Sequence, residues 1–312
     1  MSEEKNTSPT RPTRFGFVAV IGEPNAGKST LINQILGTKI SIVSPKAQTT
    51  RTRILGVHIQ GQSQISFIDT PGIFEANKKN KLERAIVASA WEGIAEAEIV
   101  ALLVDVSKKI GASTTAILER LAQEKARNKK YILVLNKIDK IKREALLELS
   151  LKLNEACDFD ATFMISAING NGVDKFVTHL ADNVPEGPWH YPEDHITDMP
   201  MRLMAAEITR EKIFHLLHQE IPYALTVETQ TWENFDNGDI RIEQIIFINR
   251  EAHKKIILGK GGSMIKKIGE KSRRELEDIF DTKVHLKLFV KLSETWMDDE
   301  ERFSIWGLNA NA

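Results

Sequence analysis

Eight consecutive residues, Gly22, Glu23, Pro24, Asn25, Ala26, Gly27, Lys28 and Ser29, have the types and spacing of a phosphate-binding loop. An apolar run at 15–21 precedes them and a helical pattern at 28–36, beginning Lys28, Ser29, Thr30, follows. In that context glycines let main-chain N–H groups and a helix N-terminus close on an anion. Lys28 is placed to reach the terminal phosphates, and the Ser29 hydroxyl to ligate Mg²⁺.

Three later clusters complete the chemistry. Asp69, Thr70, Pro71 and Gly72 follow an alternating strand at 64–68. This strand end points the Asp69 carboxylate at the same metal, and Gly72 offers an N–H to the γ-phosphate with freedom to move once that phosphate leaves. Asn136, Lys137, Ile138 and Asp139 follow a strand at 131–135, at the carboxyl edge where open α/β sheets bind ligands. Asp139 can accept hydrogen bonds from the ring N–H and 2-amino group of guanine, a discrimination of about 10⁴ or more against a base that cannot donate them. Asn136 and the stem of Lys137 buttress the loop and the base, and Ser166 with Ala167, after a strand at 161–165, can supply a backbone N–H to the guanine carbonyl. The nucleotide implied is GTP, exchanging with GDP, with Mg²⁺.

Hydrolysis is less ordinary. Ile73 stands where Ras-like GTPases carry a glutamine that orients the attacking water, so intrinsic turnover should be slow. Gln48, Thr49, Thr50, Arg51 and Thr52 hold a switch threonine for Mg²⁺, with Thr50 preferred over Thr49. The catalytic set is therefore Lys28, Thr50 and Gly72, and the metal set Ser29, Thr50 and Asp69. Asn25 either recruits K⁺ beside the phosphates or simply makes a turn.

A second chemistry lies far along the chain. Gly259, Lys260, Gly261 and Gly262 form a GxxG loop between two short helical patterns, and residues 250–274 carry nine Lys or Arg against two Glu. Such a loop lets two backbones approach, and the cation density supplies sequence-independent attraction to RNA. The expected contacts are Lys254, Lys255, Ile257, Gly259, Lys260, Gly261, Gly262, Lys266, Lys267 and Arg273.

These residues need two frameworks to position them. Strands alternate with helical stretches at 81–98, 113–128, 142–156 and 172–183, which predicts a doubly wound, mostly parallel sheet. Prolines and charges interrupt periodicity at 185–200. Beyond them the order is helix, strand, strand, helix, helix, strand. The expected division is a flexible tail 1–13, a nucleotide domain 14–184, a linker 185–200, an RNA-binding domain 201–302 and a tail 303–312. The 312 residues suffice for two cores, and the net charge of −1 hides the basic stretch. One cysteine, Cys157, rules out an internal disulfide framework, and no apolar run approaches a membrane span. A single GxxxxGKS excludes tandem GTPase domains.

Outside the nucleotide motifs, three stretches carry a closer likeness: Ala206, Glu207, Ile208, Thr209, Arg210, Glu211 and Lys212 with Glu220, Ile221, Pro222 and Tyr223; the loop at 255–268; and Val284, His285 and Leu286 through to 296–301. Over residues 14–308 the chain resembles the Era family of bacterial GTPases, which end in a type II KH domain. The resemblance implies α/β architecture, a P-loop GTPase domain with a doubly wound, mostly parallel sheet followed by a smaller α+β type II KH domain. It further implies a monomer that binds the 3′ end of 16S ribosomal RNA and assists 16S processing and assembly of the small (30S) subunit. It places that work in the cytoplasm, with peripheral contact at the inner membrane. Arg210, Glu211 and the charged residues 298–302 are expected to pair within their domain or face water. Phe289, where the family often has Trp, is expected to keep an aromatic core position.

Overall fold

The computed structural model describes residues 12–44, 46, 49–77, 80–124, 128–217 and 224–309. Expectations for 1–11, Gln48, 220–223 and 310–312 fall outside them. Among the described residues, β1 (Arg14–Ile21), β2 (Ile54–Gln60), β3 (Ser63–Asp69), β4 (Ile99–Asp105), β5 (Lys130–Asn136) and β6 (Ala161–Ile165) form one sheet in the order β2-β3-β1-β4-β5-β6. All pairings are parallel except that of the edge strand β2 with β3. β2 is a strand that the sequence reading did not pick out.

The central strands read as near-continuous Val, Ile and Leu runs because helices cover both faces. α1 (Lys28–Leu36) and α5 (Val173–Asn183) pack on one face through Leu31, Ile32, Phe176 and Leu180. α2 (Lys81–Glu96), α3 (Ala112–Glu124) and α4 (Arg143–Ala156) cover the other through Ala90, Ile117, Leu121 and Leu153, where Cys157 is also buried. β1 lies between β3 and β4, so its carboxyl end opens into the crevice where the strand order reverses, the usual ligand site of such sheets.

The second unit contains α6 (Met201–Leu216), β7 (Leu225–Asn234), β8 (Ile240–Ile248), α7 (Glu251–Leu258), α8 (Ser263–Phe280) and β9 (Val284–Leu292). Its sheet runs β7-β8-β9, antiparallel then parallel. Ile213, Ile246, Ile257 and Ile268 share one core. The segment expected as a tail from 303 is not one. α9 (Glu300–Ile305) crosses the 302 boundary, and Phe303, Trp306 and Leu308 are buried with Trp296 against Leu82, Ala85 and Ile86 of α2. Their apolar area is removed from water only because the helix after Gly72 is there to receive it. Phe289 also departs from expectation: it is half exposed on β9. Among the described residues no helix is long and apolar enough to cross a membrane.

The connection 185–200 is tied down along the sheet edge. Val57 N donates to the Ile196 carbonyl at 2.8 Å, Thr197 Oγ1 to the Leu55 carbonyl at 2.6 Å, and Leu55 N to Asp198 Oδ1 at 3.2 Å. Buried Gln64 grips it further back, donating to the Tyr191 carbonyl and accepting from the N–H groups of His190 and Tyr191. His190 stacks on Phe15 with ring centroids 3.8 Å apart.

Candidate functional site

The phosphate loop leaves β1 through Gly22, whose φ of 148° and close approach to the Leu103 carbonyl leave no room for a side chain. Lys28 is buried and donates to the carbonyls of Gly22 and Glu23 at 3.2 and 3.0 Å. Burial pushes its ammonium down to about 8, against Asp69 and Glu23. The Glu23 side chain is engaged at α3, its Oε1 accepting Thr114 N at 2.6 Å and Thr114 Oγ1 at 2.7 Å. Glu23 therefore anchors the loop, with its backbone at the phosphate side. The turn after β3 lies on the same loop: Ile73 N donates to the Gly22 carbonyl at 3.0 Å, and a Cβ on Gly72 would come 2.7 Å from Pro24 N. Ile73 itself is buried.

Three oxygen donors converge beside it. Ser29 Oγ donates to Asp69 Oδ2 at 2.8 Å and lies 3.0 Å from Thr50 Oγ1. Thr49 lines the same cleft, but its hydroxyl is bonded to the Lys46 carbonyl at 2.7 Å. Burial pushes the Asp69 carboxyl up, against Ser41, Lys28 and Ser29, and its Oδ1 meets no donor at hydrogen-bond geometry. A buried carboxylate oxygen left unpaired beside two hydroxyls is a set of hard ligands that fits Mg²⁺. Pro24, Asn25, Gly27, Thr30, Val43, Ser44 and Lys137 complete the cleft around these groups.

The base end is assembled around Asn136. Its Nδ2 donates to the Ala26 carbonyl at 2.8 Å, and its Oδ1 accepts from Lys137 N at 2.8 Å and Ala167 N at 3.0 Å. The Ala167 N–H expected to face guanine is thus donated to Asn136. A Cβ on Gly27 would lie 2.3 Å from Asn136 Nδ2, so this contact accounts for the glycine. Lys137, at φ 69°, sends its ammonium to the Asn25 carbonyl at 2.8 Å and to Asp105 Oδ2 at 2.6 Å. Burial opposes the charge on Asp105, but Lys137 and Ser107 outweigh it and hold the carboxyl below 3.8. Asp139 is exposed in a short turn with Ile138, and Ser166 Oγ donates to its Oδ1 at 2.6 Å, aiming one oxygen and leaving the other open.

The segment leading to Thr50 is held from the second unit. Arg210 and Glu211 do not face water; both are 1% exposed. Glu211 Oε1 accepts Val43 N at 2.7 Å, and its Oε2 pairs with Lys39 at 2.6 Å. Arg210 donates to the Thr49 carbonyl, and Lys46 Nζ to that of Leu217. Arg51 donates to the Leu225 carbonyl at 3.0 Å with its guanidinium over Trp296.

The second unit also carries the basic face. Lys255, Lys260, Gly261, Lys266, Lys267 and Arg273 are exposed, and Lys254, Gly259 and Gly262 half-buried. Gly259, Gly261 and Gly262 have φ of 70°, 58° and 79°. Ile257 is a correction: it is fully buried in the core, and its neighbour Ile256, at 45% exposure, is the apolar side chain presented outward. A groove beside the loop is lined by Ile265, Lys266, Gly269, Arg273, Leu286 and Leu288.

Residues 17–137 match the family model described as 50S ribosome-binding GTPase, and residues 220–297 match the KH domain model. GTPase Era of Rhizobium meliloti (strain 1021) is 52% identical over 96% of this chain and 94% of its own length, and GTPase Era of Agrobacterium fabrum is 53% identical over 95% and 92%. The chain belongs to the GTPase Era family. A crystal structure of Era in complex with MgGDPNP and nucleotides 1506–1542 of 16S ribosomal RNA superposes with a TM-score of 0.88 at 39% identity, covering 95% of this chain and 99% of that one. An Aquifex aeolicus Era variant bound to GDP·AlF4⁻ superposes equally well, at 38% identity.

In this Era-family chain the structure brings the loop at 22–30, Thr50, the turn at 69–73, the base loop at 136–139 and Ser166–Ala167 to one sheet edge. The basic loop at 254–273 lies apart. Asp105, Thr114, Asn33, Lys39 and the α6 charges were missed by motif reading. The Asn33 contacts to the backbone of Ile40 and Ser41, the Asp105–Ser107 contact and the Glu207–Arg210 pair lie close enough in sequence to have been suspected.

Proposed function

We propose that this chain is a GTP-hydrolysing switch that holds the 3′ end of 16S ribosomal RNA on its KH domain and assists processing of that RNA and assembly of the small subunit. The observation that carries the reading is the likeness, over both domains at once, to an Era captured with a GTP analogue and that RNA. Lys28, the backbone of the loop at 22–30 and Gly72 would bind the phosphates; Asp139 would read guanine, with Asn136 holding the Ser166–Ala167 turn beside it. Ser29, Thr50 and Asp69 would hold Mg²⁺, which when bound supplies charge neutralisation at the β- and γ-phosphates. Ile73 offers no group to orient water, so unstimulated turnover is slow. The RNA contacts are those expected, with Ile256 replacing Ile257.

We place the domain break at 185–200, with the KH unit running to at least Leu308. A cytoplasmic location follows from the ribosomal substrate; contact with the inner membrane rests on family resemblance alone. Because α6 touches the segment before Thr50 and the C-terminal segment touches α2, RNA affinity and nucleotide state are coupled, and by linkage the coupling is reciprocal. GTP hydrolysis in K⁺ buffer, with and without an oligonucleotide of the 16S 3′ end, tests this. Stimulation by RNA is expected; turnover and nucleotide affinity both indifferent to saturating RNA would overturn the coupling.

A further inference from the structure

We propose that Arg210 and Glu211, on the first helix of the KH domain, are positioning residues for GTP hydrolysis: they hold the backbone at Val43 and at Thr49 so that Thr50 faces Ser29. The proposal rests on Thr50 being the switch ligand of Mg²⁺. The Thr49 carbonyl belongs to the peptide whose nitrogen is that of Thr50. Since that unit is planar, fixing its oxygen fixes the plane from which Thr50 projects. Arg210 is the donor to that oxygen. One turn of the same helix thus holds both ends of the segment, Glu211 at Val43 N and Arg210 at the Thr49 carbonyl.

Arg210 is itself held rigidly. Its Nε donates to Glu207 Oε1 at 2.7 Å, a second nitrogen pairs with Glu207 Oε2, and the guanidinium lies 5.1 Å from the centre of the Phe214 ring. A buried, forked cation of this kind is pre-organised, so little freedom is lost when it accepts its third partner. Glu211 has a similar setting. Lys39 bridges it to Glu275 on α8, and Lys212 contacts both carboxylates. α8 is the helix that carries Lys266, Lys267 and Arg273. Contacts therefore run from α8 through Glu275, Lys39 and Glu211 to the backbone of Val43. The element that shapes the catalytic segment comes from the other domain, in a chain whose own Ile73 cannot orient water.

The test is Arg210→Lys in the full-length chain, which keeps a cation beside Glu207 but replaces the Nε–Nη2 edge, whose Nη2 meets both Glu207 and the Thr49 carbonyl, by a single ammonium. Turnover of GTP should fall about tenfold, the scale of a displaced reacting group, with KM unchanged. The Mg²⁺ concentration needed to bind a non-hydrolysable GTP analogue should rise, while that needed for GDP should not, because Thr50 joins the metal only in the triphosphate state. Affinity for the 16S oligonucleotide in the absence of nucleotide should stay at the parent value. Should Arg210→Lys fail to melt cooperatively, Glu211→Gln carries the same readouts. Unchanged turnover and Mg²⁺ requirement would overturn the proposal, as would parallel losses in the GTP and GDP states, which mark a merely structural role. Thr50→Ala is the control. If it leaves the GTP-specific Mg²⁺ requirement unmoved, the Thr50 reading fails with Arg210 still native, and the two failures are told apart.

Discussion

Asn136 receives the amide of Ala167 on one side-chain atom, at 3.0 Å, and gives a proton from the other to the Ala26 carbonyl, at 2.8 Å. One buried amide thereby joins three loops that leave three different strands. Asn136→Ala should leave the Ala167 N–H and the Ala26 carbonyl unpaired, at about 1–3 kcal/mol for each buried group. Affinity for GDP and GTP should fall together, by about tenfold or more, as measured with a fluorescent nucleotide, while RNA affinity is retained. Loss confined to the base, with inorganic phosphate analogues bound normally, would mean that Asn136 serves only the base loop.

Gly261→Asp should cripple RNA binding while sparing GTP. Gly261 sits at φ 58°, a Cβ added there would meet nothing within 4 Å, and Asp tolerates that region better than most residues. The fold is kept, and a negative charge is set where a phosphate backbone would pass. A loss of about tenfold or more in oligonucleotide affinity is expected, checked by titration at two salt concentrations. Equal loss of nucleotide binding would point to misfolding.

The pH dependence of the domain contact follows from Glu211. Burial opposes its charge, but Lys39, Lys212 and the Val43 N–H outweigh it and hold the carboxyl below its ordinary 4.5. A carboxyl depressed on folding contributes stability that is present above the unfolded value and lost as pH falls through the folded one. The difference in melting temperature between the parent and Glu211→Gln should therefore be largest at neutral pH and shrink below 4.5. A difference independent of pH would remove the charge from the account.

Asn25 occupies the left-handed region at φ 65°, and its carbonyl accepts from Lys137. If its side chain ligates a monovalent cation at the phosphates, replacing Na⁺ by K⁺ should raise turnover by about tenfold, the scale of one added electrostatic contact in the transition state. Identical rates in the two salts would leave Asn25 as a turn residue.

The nucleotide site was legible because each motif is short and carries its own geometry: a loop before a helix, a carboxylate at a strand end. The contacts that hold those motifs were not. Glu207, Arg210 and Glu211 lie within one turn of α6, and the pairing expected inside the domain is there between Arg210 and Glu207; the further partners, Thr49 and Val43, lie on a different domain. Trp306 and Leu308, placed in a tail, failed for the same reason, whereas Phe303 reads as an interface aromatic and is one. A few apolar residues at a chain end predict nothing until α2 is known to pass beside them. Ile256 and Ile257 are adjacent, and a helix only two turns long gives too little periodicity to say which one faces inward. β2 was missed because its alternation is broken by Gly56, which lies where a Cβ would strike Leu36 and Ile40.

The stretch 185–200 looks on paper like a tether, a place to cut. Its backbone instead completes the outer edge of β2, and the residues beyond it shield Leu82 and Ile86. Ending the chain at 184 would bare a strand edge and an apolar helix face together, the two features that most readily recruit other chains. What reads as a pair of exchangeable modules is therefore a single heritable unit: neither half can be lost, swapped or clipped without handing the other an adhesive surface.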